Sequence, residues 1–266
     1  MRKFRKIANY VRRCMRMGSK MIAVAGKGGT GKTTFTALVL RELVNMKKAA
    51  ILAVDADPNA NLNEALGLDV DTTISEAVDS VKAGEVPTGM TKEAFIEWKL
   101  SQSMIETKYV DLLVLGVPTG QGCYCYPNDL LRRHLDNLRG NYDYVVTDNE
   151  AGLEHLSRQT VQDIDYFFII SDASARSIRS AGRVKQIVDT LHTKVHNIYL
   201  VVTKVMETGI DDLMGEIEAT GLQLVGTIPY DPEVAEYDLK SKALYELPEN
   251  SKAVVAVKEI IAKAGL

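Results

Sequence analysis

Cysteine is scarce in this chain, with three in 266 residues. Three thiols do not build a disulfide framework, so a reducing cytoplasm is the expected compartment. Long apolar runs are also missing: no stretch of 18 apolar residues occurs, and a membrane-spanning helix is not expected. A secretory leader is not expected either. Arg12 and Arg13 interrupt Ile7-Ala8-Asn9-Tyr10-Val11 before an apolar segment can form. Charge of one sign is not in excess. The net charge of −3 argues against a nucleic-acid partner. Tryptophan occurs once, as Trp98, which is expected in a core or an interface. What is present is ordinary. With 46% hydrophobic and 25% charged residues, the chain suits one large domain or at most two small ones.

The even charge hides an asymmetry. Residues 1–20 carry eight Lys and Arg and no acid, and setting those eight charges aside takes the net from −3 to −11. Phe4, Ile7, Val11, Cys14 and Met15 recur there at roughly helical spacing. A basic amphipathic helix could lie on an anionic surface or a partner. The stronger expectation is a poorly ordered extension, followed by a single domain over residues 21–266.

The informative stretch is Gly26-Lys27-Gly28-Gly29-Thr30-Gly31-Lys32-Thr33-Thr34. It follows the apolar run Met21–Ala25 and leads into a helical pattern through Val44. Strand, glycine loop and helix in that order, with the spacing G-x-x-x-x-G-K-[ST], make a phosphate-binding loop. Glycines let backbone N–H groups curl around phosphate oxygens, and the helix N-terminus adds partial positive charge. In such a loop Lys32 reaches the β- and γ-phosphates of ATP and Thr33 ligates Mg²⁺.

Further apolar runs at residues 49–54, 111–116, 144–148, 166–170, 198–202 and 222–228 read as buried strands. They alternate with helical patterns. The expectation is an α/β P-loop fold with a mostly parallel twisted sheet of seven or eight strands and helices on both faces. Two of the runs end in acids. Asp57, in Asp55-Ala56-Asp57-Pro58, is placed to hold Mg²⁺ through water and to position an attacking water. Asp148 ends Tyr144-Val145-Val146-Thr147 and should reach the Mg²⁺ shell through water.

The second informative site is Gly122-Cys123-Tyr124-Cys125-Tyr126-Pro127, before a helix expected at about 128–138. Two thiolates are half of a tetrahedral site, and two copies of the chain would supply four. Sulfur ligands suit Zn²⁺, or Ni²⁺ in a more planar arrangement. A redox pair and inert thiols remain as alternatives.

The second lysine of the loop, Lys27, gives K-G-G-x-G-K-[ST]. This resembles the deviant P-loop of the MinD/ParA/nitrogenase-iron-protein ATPases. The resemblance implies a homodimer in which Lys27 crosses to the partner's nucleotide, with ATP and ADP as the bound states. It also implies a γ-phosphate sensor at Gly152 in Asp148-Asn149-Glu150-Ala151-Gly152, and adenine contacts at Thr203, Lys204, Pro229, Tyr230 and Asp231. Relatives often carry Asn where this chain has Thr203, which leaves open how adenine is read. An iron–sulfur cluster of the nitrogenase type needs cysteines from two distant segments, and the second is missing here. The combination of the loop, D-A-D-P-N-A-N-L, G-C-Y-C-Y-P-N and D-N-E-A-G-L-E-H resembles the CooC-type nickel-insertion ATPases. That implies Ni²⁺ or Zn²⁺ on Cys123 and Cys125 of both chains. It also implies a client nickel enzyme, carbon monoxide dehydrogenase or acetyl-CoA synthase. His155 is a candidate further ligand or a solvated switch residue. A MinD/ParA-like positioning switch with a purely structural metal is the alternative.

Overall fold

Each of the seven apolar runs forms a strand: β1 (Lys20–Gly26), β2 (Ile51–Ala56), β3 (Val110–Val114), β4 (Tyr144–Asn149), β5 (Asp163–Asp172), β6 (Lys194–Val205) and β7 (Gln223–Pro229). They make one sheet in the order β3-β2-β4-β1-β5-β6-β7, with every pairing parallel. The computed structural model describes residues 18–47, 49–59, 61–117, 125–149, 163–190 and 194–266, with the backbone alone at 47 and 125–129.

Alternation along the strands feeds two cores. Ile22 and Val24 of β1 face one, and Met21, Ala23 and Ala25 face the other. The first core is covered by α1 (Lys32–Lys47) and α9 (Lys252–Ala264), through Phe35, Leu38, Val254, Val257 and Ile261 among others. The second is covered by α3 (Ile74–Lys82), α4 (Lys92–Gln102), α5 (Cys125–Leu138), α6 (Ala175–Thr190) and α7 (Met214–Thr220). Two short helices, α2 (Leu62–Leu66) and α8 (Pro232–Leu239), lie between strand ends and the first layer. Local signals set the boundaries. Helix α3 begins with a capping box, in which the Thr73 hydroxyl accepts from Glu76 N–H and Thr73 N–H donates to the Glu76 carboxylate. Helix α9 begins at Ser251 and stops at Gly265, which adopts the left-handed conformation.

Most of the expected architecture is present, and one placement is corrected. Trp98 is not a core residue; 49% of it is exposed. Phe95, Ile96 and Leu100 take the inward face of α4, and the indole is left stacked on Phe95 at 5.7 Å with the Lys99 ammonium 5.8 Å from its ring. Strand β1 begins at Lys20. Residues 1–17 lie outside the described residues. Among the described residues no helix is long and apolar enough to cross a membrane.

Because all seven strands run the same way, their carboxyl ends share one edge of the sheet. The chain leaves β1 toward β2 on one side and later returns to β5 on the other, so a crevice opens beyond β1 at this reversal. The glycine loop sits there.

Candidate nucleotide-binding site

Strand β1 ends on Gly26 and α1 begins on Lys32, so residues 27–31 form the connecting loop. Gly29 and Gly31 have φ of +76° and +88°, a region that L side chains enter at a cost. The loop is closed internally by the buried Thr30, whose hydroxyl donates to the Lys27 carbonyl at 2.7 Å. It is also held from outside by the end of β6. The Thr203 hydroxyl donates to the Thr30 carbonyl at 2.6 Å, and the Lys204 ammonium donates to the Gly29 carbonyl at 2.8 Å. Lys204 makes this reach at φ +55°, a strained backbone for a residue with a side chain. Nothing in the sequence signals this brace.

The loop forms one end of a cavity of about 830 Å³. Gly28, Gly29, Gly31, Lys32, Thr33 and Thr34 line its phosphate end, with Asp57 and Asn59 at the mouth. Thr203 and Lys204 line the cavity beside the loop they brace, and Pro229, Tyr230 and Asp231 carry the wall on to α8. Lys27 points elsewhere: its side chain is exposed at the loop tip and is not part of the cavity wall. The sequence-derived residues of the loop, of Asp57 and of the two later strand ends therefore converge. Cys123, Gly152 and His155 lie outside the described residues, and of Cys125 only its place at the start of α5 is described.

The acids are more numerous than the sequence suggested. Asp148, near the end of β4, is 1% exposed and lies in register between Val24 of β1 and a second acid, Asp55 of β2. Asp55 is fully buried and accepts from the N–H groups of Asp57, at 3.1 Å, and Leu62, at 2.9 Å. It ties the residues after β2 into a tight turn and so aims Asp57. Asp57 in turn accepts from Asn59 N–H at 2.9 Å. The Thr36 hydroxyl lies 3.3 Å from Asp148, one turn along α1 from Lys32. Asp55, Thr36 and this turn escaped the sequence reading. An acid inside an otherwise apolar strand, as in Ile51-Leu52-Ala53-Val54-Asp55, is the signal that marks Asp55.

Burial pushes the Asp148 carboxyl up to about 7, assisted by Asp55 and Asp57 and opposed by the Thr33 hydroxyl and the Lys32 ammonium. Burial likewise lifts Asp55 to about 6, against the backbone N–H groups of Leu62, Asp57 and Asn61. Buried carboxylates beside a phosphate loop are hard oxygen donors, and their desolvated charge favours a divalent cation. The donors fit Mg²⁺ held by the Thr33 hydroxyl, a nucleotide and waters, with Asp148 and Asp57 in its shell. Among the described residues no three His, Cys, Asp or Glu side chains converge as a protein-only metal cage.

The raised pKa values set a pH dependence. A carboxyl whose pKa is higher folded than unfolded stabilises the fold below its unfolded value, and that contribution is lost as pH rises through the folded value. Metal-free, nucleotide-free protein is therefore expected to lose on the order of 4 kcal/mol between pH 5 and 8. Asp148→Asn should flatten most of that slope, and urea midpoints across the pH range would measure it. An unchanged slope would remove Asp148 as its source.

Comparison with known proteins agrees with this geometry. The chain is 46% identical over 250 residues to an uncharacterized ATP-binding protein of Methanocaldococcus jannaschii, covering 91% of this chain and 97% of that one. It is 28% identical over 241 residues to the carbon monoxide dehydrogenase accessory protein CooC of Rhodospirillum rubrum, covering 85% and 89%. Among solved structures, the fold matches the cell division ATPase MinD of Pyrococcus furiosus with a TM-score of 0.69 at 22% identity, over 93% of this chain and 98% of that one. The model of the CobQ/CobB/MinD/ParA nucleotide binding domain matches residues 21–244, from the first residues of β1 to beyond α8, and the chain belongs to that family.

Proposed function

We propose that this chain is an ATP-hydrolysing, dimeric switch that carries nickel, or zinc in its place, and assists nickel insertion into carbon monoxide dehydrogenase or acetyl-CoA synthase. The observation that carries the ATPase part is the convergence at one sheet edge of Lys32, Thr33, Asp57 and Asp148 around the braced loop. Lys32 holds the β- and γ-phosphates, Thr33 and the carboxylates hold Mg²⁺, and Asp57 orients the attacking water. The exposed Lys27 is free of the cavity wall, which suits a role on the nucleotide of a second copy.

The metal part is supported by the Cys123-x-Cys125 motif of the sequence, of which Cys125 begins α5, and by the similarity to CooC. Two copies would present four thiolates. ATP-driven closure alters the spacing of the two loops, and hydrolysis restores it. A tenfold change in metal affinity between the two states needs only about 1.4 kcal/mol of coupling.

The deciding experiment is equilibrium dialysis of the full chain with Ni²⁺ and with Zn²⁺, in ADP and in a non-hydrolysable ATP analogue. One metal per dimer is expected, with an affinity that shifts between nucleotides. The Cys123→Ala, Cys125→Ala double variant should lose the metal and keep nucleotide binding. No metal in any state would sink the metal-delivery reading. The basic residues 1–20 favour a second reading, a MinD/ParA-like positioning switch. Loss of vesicle binding on deleting them, with a bound metal whose affinity does not change between nucleotides, would establish that alternative, in which the metal is purely structural.

A further inference from the structure

Asp231 was expected among the groups that touch adenine, yet its carboxylate is spent on the protein. It is 6% exposed. One oxygen accepts from Glu233 N–H at 3.0 Å and so caps α8. The other accepts from the Ser251 hydroxyl at 2.6 Å and from Ala253 N–H at 3.0 Å, at the start of α9. Ser251 is itself the cap of α9, accepting from Val254 N–H. One buried carboxylate therefore closes the N-termini of two helices, where the partial positive charge of both favours it. Burial alone would raise this carboxyl, but the Ser251 hydroxyl, the two N–H groups and Lys252 hold it below the ordinary carboxylate value.

The two helices are anchored very differently. Helix α9 is set in the core by Val254, Val257, Ile260 and Ile261. Helix α8 has no buried residue at all. Val234 and Tyr237 only lean on the core, and the Tyr237 hydroxyl reaches the Glu246 carbonyl at 3.3 Å. Yet Val234, Ala235 and Asp238 of α8 line the same cavity as the glycine loop, next to Tyr230 and Asp231 in the chain. The segment before Ser251 is tied down as well. Glu249 pairs with Arg41 of α1 at 2.7 Å, and the Arg41 side chain is 5% exposed.

We propose that Asp231 is a positioning residue: it hangs the loosely packed α8 from the core-anchored α9 and so fixes the cavity wall that receives the nucleoside part of a nucleotide, without contacting that nucleoside. The Arg41–Glu249 pair refers this wall to α1, the helix that carries Lys32 and Thr33. The phosphate end and the nucleoside end are thereby held to one frame before a ligand arrives.

This inference rests on the nucleotide-binding reading above, and two ligands separate the failure of one from the failure of the other. Pyrophosphate with Mg²⁺ uses the phosphate end alone, whereas ADP with Mg²⁺ uses both ends. Calorimetric titration of the full chain with each would be compared across variants. In Asp231→Asn, which keeps the shape but replaces one acceptor by a donor, ADP affinity is expected to fall about tenfold or more, with pyrophosphate affinity within about twofold of wild type. Ser251→Ala removes one of the three hydrogen bonds and keeps the charge. It should shift ADP alone, by about threefold, and it carries the test if Asp231→Asn does not fold. Equal losses for both ligands, or full ADP affinity in a folded Asp231→Asn variant, would overturn the positioning role. Wild-type protein that binds neither ligand would instead overturn the nucleotide reading.

Discussion

Lys32→Ala is expected to reduce nucleotide hydrolysis by about a thousandfold, with the loss falling on the chemical step as well as on binding. The side chain is 7% exposed and opens α1, so its charge acts in a desolvated site where screening by water is weak. It does two jobs there. In the proposed hydrolysis it offsets charge on the transferring phosphoryl group, and it restrains the pKa of Asp148. Deleting it leaves a buried carboxyl with less compensation, so Asp148 rises further above about 7 and is protonated more at neutral pH. A protonated Asp148 is a poorer member of a Mg²⁺ shell. The residual hydrolysis of Lys32→Ala should therefore climb more steeply from pH 7 to 9 than that of the wild type. Steady-state rates at several pH values and Mg²⁺ concentrations read both effects. Hydrolysis within tenfold of wild type would mean that Lys32 does not neutralise the transferring phosphoryl group.

Gly26→Ala should cost the fold roughly 3–4 kcal/mol, among the largest penalties available to the addition of one methyl group. Gly26 ends β1 in register with Ile170 of β5. A Cβ built there would lie 2.2 Å from the Ile170 carbonyl oxygen and 3.1 Å from its carbon. Both are backbone atoms in the middle of a sheet, so no rotamer change relieves the contact. The strands must spread, and the hydrogen bonds that register the glycine loop are strained with them. Gly29 makes the useful comparison. Its φ is +76°, but a Cβ there meets nothing within 4 Å. Gly29→Ala should cost only about 1–2 kcal/mol, the price of a left-handed alanine. Urea midpoints of the two variants would order them, and equal midpoints would show that the approach to Ile170 is not limiting.

The strands were legible because burial on both faces leaves unbroken apolar runs, and each run became a strand, with β5 and β6 extending up to four residues beyond theirs. The loop was legible because its glycines, lysine and threonine are constrained by one local geometry. What stayed hidden depends on contacts between distant segments. Thr203 and Lys204 brace the loop from 173 and 175 residues away. Asp231 entered the sequence reading as an adenine contact implied by the resemblance, and its bonds to Ser251 and Ala253, at the start of a separate helix, were not visible there. Asp55 was overshadowed by Asp57, although it is the one that sets the turn. Of the two places expected for Trp98, the core is ruled out for a different reason. Large aromatics usually seek burial, but three neighbours on α4 had already taken the inward face.

The strand order also dictates when this site can exist during synthesis. Strand β1, which carries the loop, is flanked by β4 and β5, whose residues emerge from the ribosome more than a hundred positions later. Until Asn149 and Asp172 have been made, β1 has no neighbour on either side, and the Thr203 brace comes later still. The early product is an apolar strand and an all-round buried helix with nothing to cover them, a state open to wrong association. Such long-range pairings fold slowly. Nucleotide capture is therefore reserved for a nearly finished polypeptide, and a truncated product ending before β6 has the phosphate motif without a loop held to receive it.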